Sequence, residues 1–412
     1  MRTIFHIDVN SAFLSWSAVE LLKNGGSLDL RTVPSAVAGD SESRRGIILA
    51  KSFPAKKYGI VTGEPTAFAL QKCPELVCVA PDFSLYTRNS EEMFRILSTY
   101  SDRVEPFSID EAFLDYSGME QLFGLPLEGA KKIQNNIKSE LGFTVNIGIS
   151  TNKLLAKMGG ELEKPNKIIT LYPEELSKKL WPLPVEEMFM VGRRTAPRLK
   201  KMGIRTIGAL AKYPVALLEK EFKSYGRLLY AYANGIDDTP VAHVDTVKTA
   251  KSIGNSTTIP YDVETREEAY KILLSLAETV SMRLREGGYC AREIGVVIKT
   301  ADFQVYSHQT KLLNAIDCTN AVYETAKKIF DEAWKNEPVR HLGIRAGQLS
   351  SGAWVQLSML EEDWSKQKQA DAAMDLLRGK YGRETVVRST FLGGSDPAYG
   401  GGSLKINHLR KG

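Results

Sequence analysis

At 412 residues the chain exceeds what one hydrophobic core holds, roughly 250–300 residues, and its 43% hydrophobic and 25% charged side chains exclude a disordered or fibrous protein, so several globular domains are expected. Nowhere do about 18 apolar residues run together, and the N-terminal stretch "MRTIFHIDVNSAFLSW" is broken by His6, Asp8 and Asn10, so no membrane partner and a cytoplasmic location are expected. The formal net charge of +5 says little alone, but residues 151–235 hold 16 Lys+Arg against 8 Asp+Glu, which leaves open a solvated basic face or a surface for phosphate backbones.

In chain order, "TIFHIDV" (3–9) reads as a buried strand ending in Asp8, and "SAFLSWSAVELLKNGG" as a helix that opens on a serine and stops at Gly-Gly. In "PFSIDEAFLDYSG" (106–118) two short apolar runs flank the adjacent acids Asp110 and Glu111, as in a strand pair with carboxylates at its tip. "LEGAKKIQNNIKSELG" sets Leu127, Ala130, Ile133, Ile137 and Leu141 on one helical face, and "FTVNIGIS" alternates Phe143, Val145, Ile147 and Ile149 as a half-buried strand does. The order β-α-β-β-α-β is ferredoxin-like, with residues 24–102 inserted after the first helix. First and third strands are neighbours in such a sheet, so Asp8 and the Asp110–Glu111 pair are expected to converge.

From about 171 short helices alternate with Pro and Gly, which predicts a small helical domain, and "IDDTPVAHVDTV" (236–247) reads as a linker. The βαββαβ pattern then recurs. Thr265 and Glu268 form a capping box that opens a helix with Ile272, Leu273, Leu276, Val280 and Leu284 on one face. "REIGVVIKT" and "FQVYSHQTKL" follow as strands, then "TNAVYETAKKIFDEAW" as a helix and "VRHLGIRAG" as a last strand. With 14 basic and 13 acidic residues over 246–350, any nucleic-acid face there comes from arrangement rather than net charge. Cys73, Cys78, Cys290 and Cys318 are too scattered for a disulfide framework and form no zinc pattern. His6, in an apolar strand, reads as a core residue.

Three converging carboxylates repel one another and are costly to desolvate, so they persist where a cation compensates or where some lose their charge. Hard oxygen donors with room for water and phosphate suit Mg²⁺, and two such ions about 4 Å apart serve in-line phosphoryl transfer. The blander alternative makes Asp110 and Glu111 turn residues and Asp8 a strand end; their convergence beside a basic helical segment favours the metal site.

The blocks "HIDVNSAF", "ILAKSFPAKKYGI", "PFSIDEAFLD", "GISTNKLLAKMGGELEKPN" and "VGRRTAPRLKKMGIRTIGALA" resemble, in order and spacing, the Y-family translesion DNA polymerases, most closely the bacterial DinB branch, and the resemblance runs from residue 3 to about 390. It implies an α+β multidomain, right-hand polymerase. A ferredoxin-like βαββαβ palm (1–10 and 77–167) would carry small fingers (11–76), a helical thumb with a helix-hairpin-helix (168–235), a linker (236–247), a second βαββαβ little-finger domain (248–350) and a C-terminal tail (351–412). It implies a low-fidelity, template-directed enzyme that is expected to act as a monomer on primer-template DNA and dNTPs.

Position by position, the resemblance implies that Asp8, Asp110 and Glu111, with the main-chain carbonyl of Val9, hold two Mg²⁺ ions. Phe13 would be the steric gate against ribonucleotides, although its spacing alone also suits a core phenylalanine. Phe53 and Lys56 stand where many members have Tyr and Arg, so a hydroxyl is missing and a bidentate guanidinium becomes a point charge. Lys164 in "EKPN" keeps the type of the other phosphate-contacting lysine. Gly192, Arg193 and Arg194 would bind a DNA phosphate in the helix-hairpin-helix, the alternative being a plain turn between packed helices. Gln356, Leu357, Met359 and Leu360 of "QLSML" are similar to the peptide that docks bacterial polymerases on the sliding clamp, or simply begin a following helix. A palm-type nucleotidyl cyclase, a clamp-recruited DNA-binding scaffold and a UmuC-like polymerase needing accessory subunits remain as alternatives.

Overall fold

Six residues, Ile4–Val9, form β1, and all are buried, as a strand covered on both faces requires. The chain leaves β1 through Ser11, whose left-handed backbone (φ 47°) feeds a helix over Ala12–Lys23. The computed structural model describes residues 2–40, 46–244, 246, 250–351, 364–382 and 385–391, so the peptide 356–360 lies outside the described residues. Two compact units result: Met1–Ala38 with Ile48–Glu64 and Phe68–Val247, and Gly39–Ile47 with Pro65–Ala67 and Lys248–Gly412.

In the first unit β2 (Ser35–Ala38), β3 (Ile48–Lys51) and β4 (Val77–Val79) make a small sheet of order β3-β2-β4. The main sheet joins β1 to β5 (Val104–Pro106), β6 (Glu111–Asp115), β7 (Val145–Ser150) and β8 (Ile168–Thr170) in the order β5-β6-β1-β7-β8. Without β8 this is the ferredoxin-like order, with first and third strands adjacent in the middle. Helices Ala12–Lys23, Phe83–Ser98 and Pro126–Leu141 join its core, where Trp16, Tyr86, Met93, Ile133 and Ile137 pack with Phe5, Ile7, Val145 and Ile147. Leu127 departs from the expected buried face and is 56% exposed, because it sits in the first helical turn.

β7 also departs from its expected half-burial. Its polar side, Asn146 and Ser150, is as buried as its apolar side, because the helix Lys153–Leu162 lies directly on it. Glycines permit the approach: a Cβ on Gly148 would sit 1.9 Å from the Ala156 carbonyl oxygen and 2.4 Å from the Gly160 nitrogen. The same helix turns Leu154, Leu155 and Met158 into a second core with Leu199, Ile207, Leu210, Leu218 and Leu229 of the short helices Thr195–Lys201, Ile207–Ala211, Val215–Phe222 and Ser224–Ala233.

In the second unit β9 (Ser252–Val263), a helix over Arg266–Glu286, β10 (Tyr289–Thr300), β11 (Val305–Ile316), a helix over Thr319–Ala333 and β12 (Val339–Ser351) give the expected element order. The strand order is β11-β10-β12-β9, so here the first strand is at the edge rather than in the middle. Thr265 caps its helix by accepting from the Glu268 N–H, and Ile272, Leu273, Leu276, Val280 and Leu284 are all in the core. A further helix, Ser365–Tyr381, is tied on by ion pairs from Arg285 to Asp371 (3.2 Å) and Asp375 (2.6 Å) and from Arg378 to Glu278 (3.4 Å). Among the described residues no helix is long and apolar enough to cross a membrane.

Candidate active site

Sheet register sets the site. Asp8 pairs directly with Glu111 across β1 and β6, and with Asn146 across β1 and β7, while the Val9 N–H donates to the Asp110 carbonyl oxygen at 3.1 Å. Like charges opposite each other on paired strands are destabilising unless compensated. Each carboxylate has found its own compensation. The Lys164 ammonium bonds Asp8 and also Glu161 (2.8 Å). Glu111 Oε2 accepts from Lys157 Nζ at 2.5 Å and meets His6 Nε2 at 3.3 Å, and Asp110 Oδ1 accepts from the Ser108 hydroxyl at 2.5 Å.

Electrostatics then splits the pair. Burial pushes Asp8 up to about 6 against the pull of Lys164. Burial would also raise Glu111, but the hydrogen bonds from His6 and Lys157 outweigh it and hold that carboxyl down at about 2. His6 is lowered by its own burial, so it is neutral at pH 7; its Nδ1 has no hydrogen-bond partner among the described residues. The expectation that His6 is a core residue holds for its burial, yet its other nitrogen touches a site carboxylate.

Asp8, Val9, Asp110 and Glu111 line one cleft of about 280 Å³, together with Phe13, Lys51, Lys56, Thr62 and Lys164. The donor set of three carboxylates and a carbonyl is chemically right for a hard divalent cation. The convergence expected from the sequence is nevertheless one of backbone positions and not of carboxylate groups: among the described residues no three His, Cys, Asp or Glu side chains lie close enough together to hold a metal ion. Each carboxylate is instead engaged by a partner of its own: Asp8 by Lys164, Glu111 by Lys157 and His6, and Asp110 by Ser108.

Phe13, half-buried, stacks on Tyr86 at 4.4 Å between centroids and 7° between planes, with Trp16 at 5.9 Å and Phe83 edge-on at 6.2 Å. Lys51 hydrogen-bonds Thr62 (3.1 Å), and its pKa is lowered by burial and by neighbouring Lys56. Lys56 lies 5.2 Å over the Phe53 ring; Phe53 itself is exposed at the start of the helix Phe53–Lys57 and is not among the cleft-lining residues. A cleft with this many ammonium groups suits a polyanion.

Lys157, Lys51 and Thr62 were not singled out from the sequence. Lys157 stands in "STNKLLAK" four residues after Lys153, but only the fold shows its ammonium between Glu111 and the rings of Phe107 (4.8 Å) and Phe189 (5.7 Å). Gly192, Arg193 and Arg194 are exposed and lead into the helix Thr195–Lys201, with the Gly192 carbonyl accepting from the Thr195 (2.9 Å) and Ala196 (3.0 Å) N–H groups. Pro197, the third residue of that helix, carries no N–H, and the first two N–H groups are both taken by Gly192.

A βαββαβ sheet whose central strands end in paired carboxylates, beside lysines and an aromatic wall, is the palm of a polymerase-type nucleotidyltransferase. Comparison with known proteins narrows this. Residues 7–161 match the impB/mucB/samB family, 250–359 its C-terminal domain, 173–204 the family's helix-hairpin-helix motif and 190–237 the DNA polymerase-iota thumb domain. DNA polymerase IV of Clostridium acetobutylicum is 47% identical over 397 residues, 95% of this chain and 98% of that protein. DNA polymerase IV 2 of Bacillus subtilis is 37% identical over 97% of this chain and 96% of its own length. A solved Y-family DNA polymerase chimera superposes with a TM-score of 0.72 at 25% identity, covering 84% of this chain and 99% of that one. The chain belongs to the Y family of DNA polymerases.

Proposed function

We propose that this protein is a translesion DNA polymerase that extends a primer 3′-hydroxyl with deoxynucleotides opposite a template, damaged or not, with low fidelity. The observation that carries the reading is the Asp8–Glu111 register at the mouth of a cleft also lined by Lys51, Lys56 and Lys164. Asp8, Asp110, Glu111 and the Val9 carbonyl would hold divalent ions, two Mg²⁺ in the reading favoured here. Bound there, the ions would lower the pKa of the primer hydroxyl and balance charge on the triphosphate.

The remaining roles belong to the chain. With cations held by the carboxylates, Lys164 and Lys157 would no longer be needed to balance Asp8 and Glu111, and the Lys164 ammonium would be available to the triphosphate. Lys56 and Lys51 bind the same phosphates from the other segment of the cleft, so the absence of an arginine at position 56 is offset by a second lysine. Phe13 occupies the space beside the sugar, and its stack on Tyr86 keeps it from rotating away when a 2′-hydroxyl presses on it. The turn at Gly192, Arg193 and Arg194 grips a phosphate of primer-template DNA without reading sequence. Gln356, Leu357, Met359 and Leu360 dock a sliding clamp, and the polymerase works as a monomer.

Primer extension with Mg²⁺ and dNTPs on intact and lesion-bearing templates tests the reading. Extension by the protein and none by Asp110→Ala/Glu111→Ala is expected. DNA binding without extension by the unaltered protein counts against it, in favour of a scaffold or of a polymerase that needs a missing partner.

A further inference from the structure

Lys164 lies in a loop between the helix Lys153–Leu162 and β8, and two buried side-chain amides grip that loop on both sides of the lysine. Asn146, fully buried on β7, donates from Nδ2 to the carbonyl oxygens of Gly160 (3.0 Å) and Glu163 (2.6 Å), and its Oδ1 accepts from the Lys167 N–H (3.1 Å). Asn10, just beyond β1, donates to that same Oδ1 (3.1 Å), while its own Oδ1 accepts from the Asn166 N–H (2.9 Å) and the Thr144 hydroxyl (2.9 Å). Asn166 adopts a left-handed backbone (φ 58°), which suits a short turn held from outside rather than by its own ladder. Asn146 uses both of its N–H donors and its oxygen twice, and Asn10 uses its nitrogen once and its oxygen twice. Breaking a buried network of this kind halfway is costly.

We infer that Asn146, locked by Asn10, is a positioning residue for Lys164: it fixes the loop 163–167 to the central sheet so that the lysine ammonium reaches the triphosphate rather than open solvent. The inference rests on the phosphate role proposed for Lys164. It adds a residue that does not line the cleft and touches no substrate. Asn146 stands directly opposite Asp8 in the sheet register, so one backbone position aligns the carboxylate and its neighbour aligns the lysine. The amide suits the task because it supplies two donors and one acceptor from a single short side chain, where an aspartate would keep the acceptor and lose both donors.

The test is a double-mutant comparison in the full-length protein, with a dideoxy-terminated primer on its template, Mg²⁺ and the matching dNTP. The equilibrium dissociation constant of the dNTP is read by calorimetry for the unaltered protein, Asn146→Ala, Lys164→Ala and the double variant. The expected result is about 10-fold weaker dNTP binding for Asn146→Ala, the size of one charge-assisted contact, with primer-template affinity unchanged. In the double variant the Asn146 substitution adds nothing to the Lys164→Ala loss. Multiplying losses, or an Asn146→Ala protein that is folded and binds dNTP normally, overturns the inference while leaving the role of Lys164 intact. Unchanged dNTP affinity in Lys164→Ala overturns the phosphate reading and the inference with it. Should Asn146→Ala not fold, Asn146→Ser, which keeps a short polar group at the position without adding a charge opposite Asp8, enters the same comparison.

Discussion

Replacing Asp8 by Asn should destroy activity and stabilise the metal-free protein. Burial raises the Asp8 carboxyl from 3.8 to about 6 even with Lys164 bonded to it, so the folded chain holds an anion it would rather protonate. The sign follows from proton counts. Between pH 3.8 and about 6 the folded state binds more protons than the unfolded one, so this group's contribution to stability rises as pH falls through that window and is least favourable above it. That rise is worth about 3 kcal/mol at pH 7.5, and about half of it remains at pH 5. The isosteric amide removes that cost, so Asp8→Asn should exceed the parent by about 3 kcal/mol at pH 7.5, a gain that falls by about half at pH 5. His6, also lowered by burial, titrates oppositely: neutral in the folded state, it weakens the fold as pH drops below its ordinary value of 6.5. The difference between variant and parent cancels it, and Glu111, held near 2, keeps its contribution throughout this range. Scanning calorimetry with chelator at both pH values is the assay. A variant less stable than the parent at pH 7.5, or an advantage that does not shrink at pH 5, would refute the reasoning.

Four further outcomes are expected. Phe13→Ala or Phe13→Val should lower discrimination against ribonucleotides by about 100-fold, read as the ratio of kcat/KM for dNTP and rNTP, and an unchanged ratio rules out the gate. Gly148→Ala forces a Cβ to within 1.9 Å of the Ala156 carbonyl oxygen, so it should destabilise the first unit by about 3 kcal/mol and weaken dNTP binding as the helix bearing Lys157 lifts; a thermal midpoint within 1 °C of the parent would contradict the packing. Alanines at Gln356, Leu357, Met359 and Leu360 should abolish clamp-stimulated synthesis and spare distributive synthesis. Cutting away 356–412 instead removes Arg378 and Arg388 from Glu278, which is 5% exposed, so that truncation should lose about 3 kcal/mol in the second unit and depress both kinds of synthesis.

The Asp8–Glu111 pairing was legible because a βαββαβ order leaves few topologies, and one of them puts first and third strands side by side. The apolar spacing of Ile133 and Ile137, or of Ile272 and Leu276, directly named the buried helix faces. Periodicity says which side of β7 is apolar, but it is silent on a helix covering the polar side, which is where Asn146 and the Gly148 contact were hidden. Lys157 and Lys51 were illegible for a related reason: a lysine in a helix or at a strand end looks like surface until another segment brings a carboxylate or a second lysine to it. The strand order of the second sheet is likewise not encoded in a pattern that both units share.

The long insertion within the main sheet has a consequence for synthesis. β1 is complete at residue 9, yet its partners are β6 at 111–115 and β7 at 145–150. At about 5–20 residues per second, a ribosome takes roughly 5–21 s to go on from β1 to the end of β6, and longer to complete β7. For that interval six apolar-rich residues have no sheet to enter, while the small sheet of β2, β3 and β4 and the helix Phe83–Ser98 have all their own residues in hand. The inserted segment is therefore positioned to fold before the sheet that interrupts itself to carry it, and the nascent N-terminus is the part that a chaperone has most reason to hold.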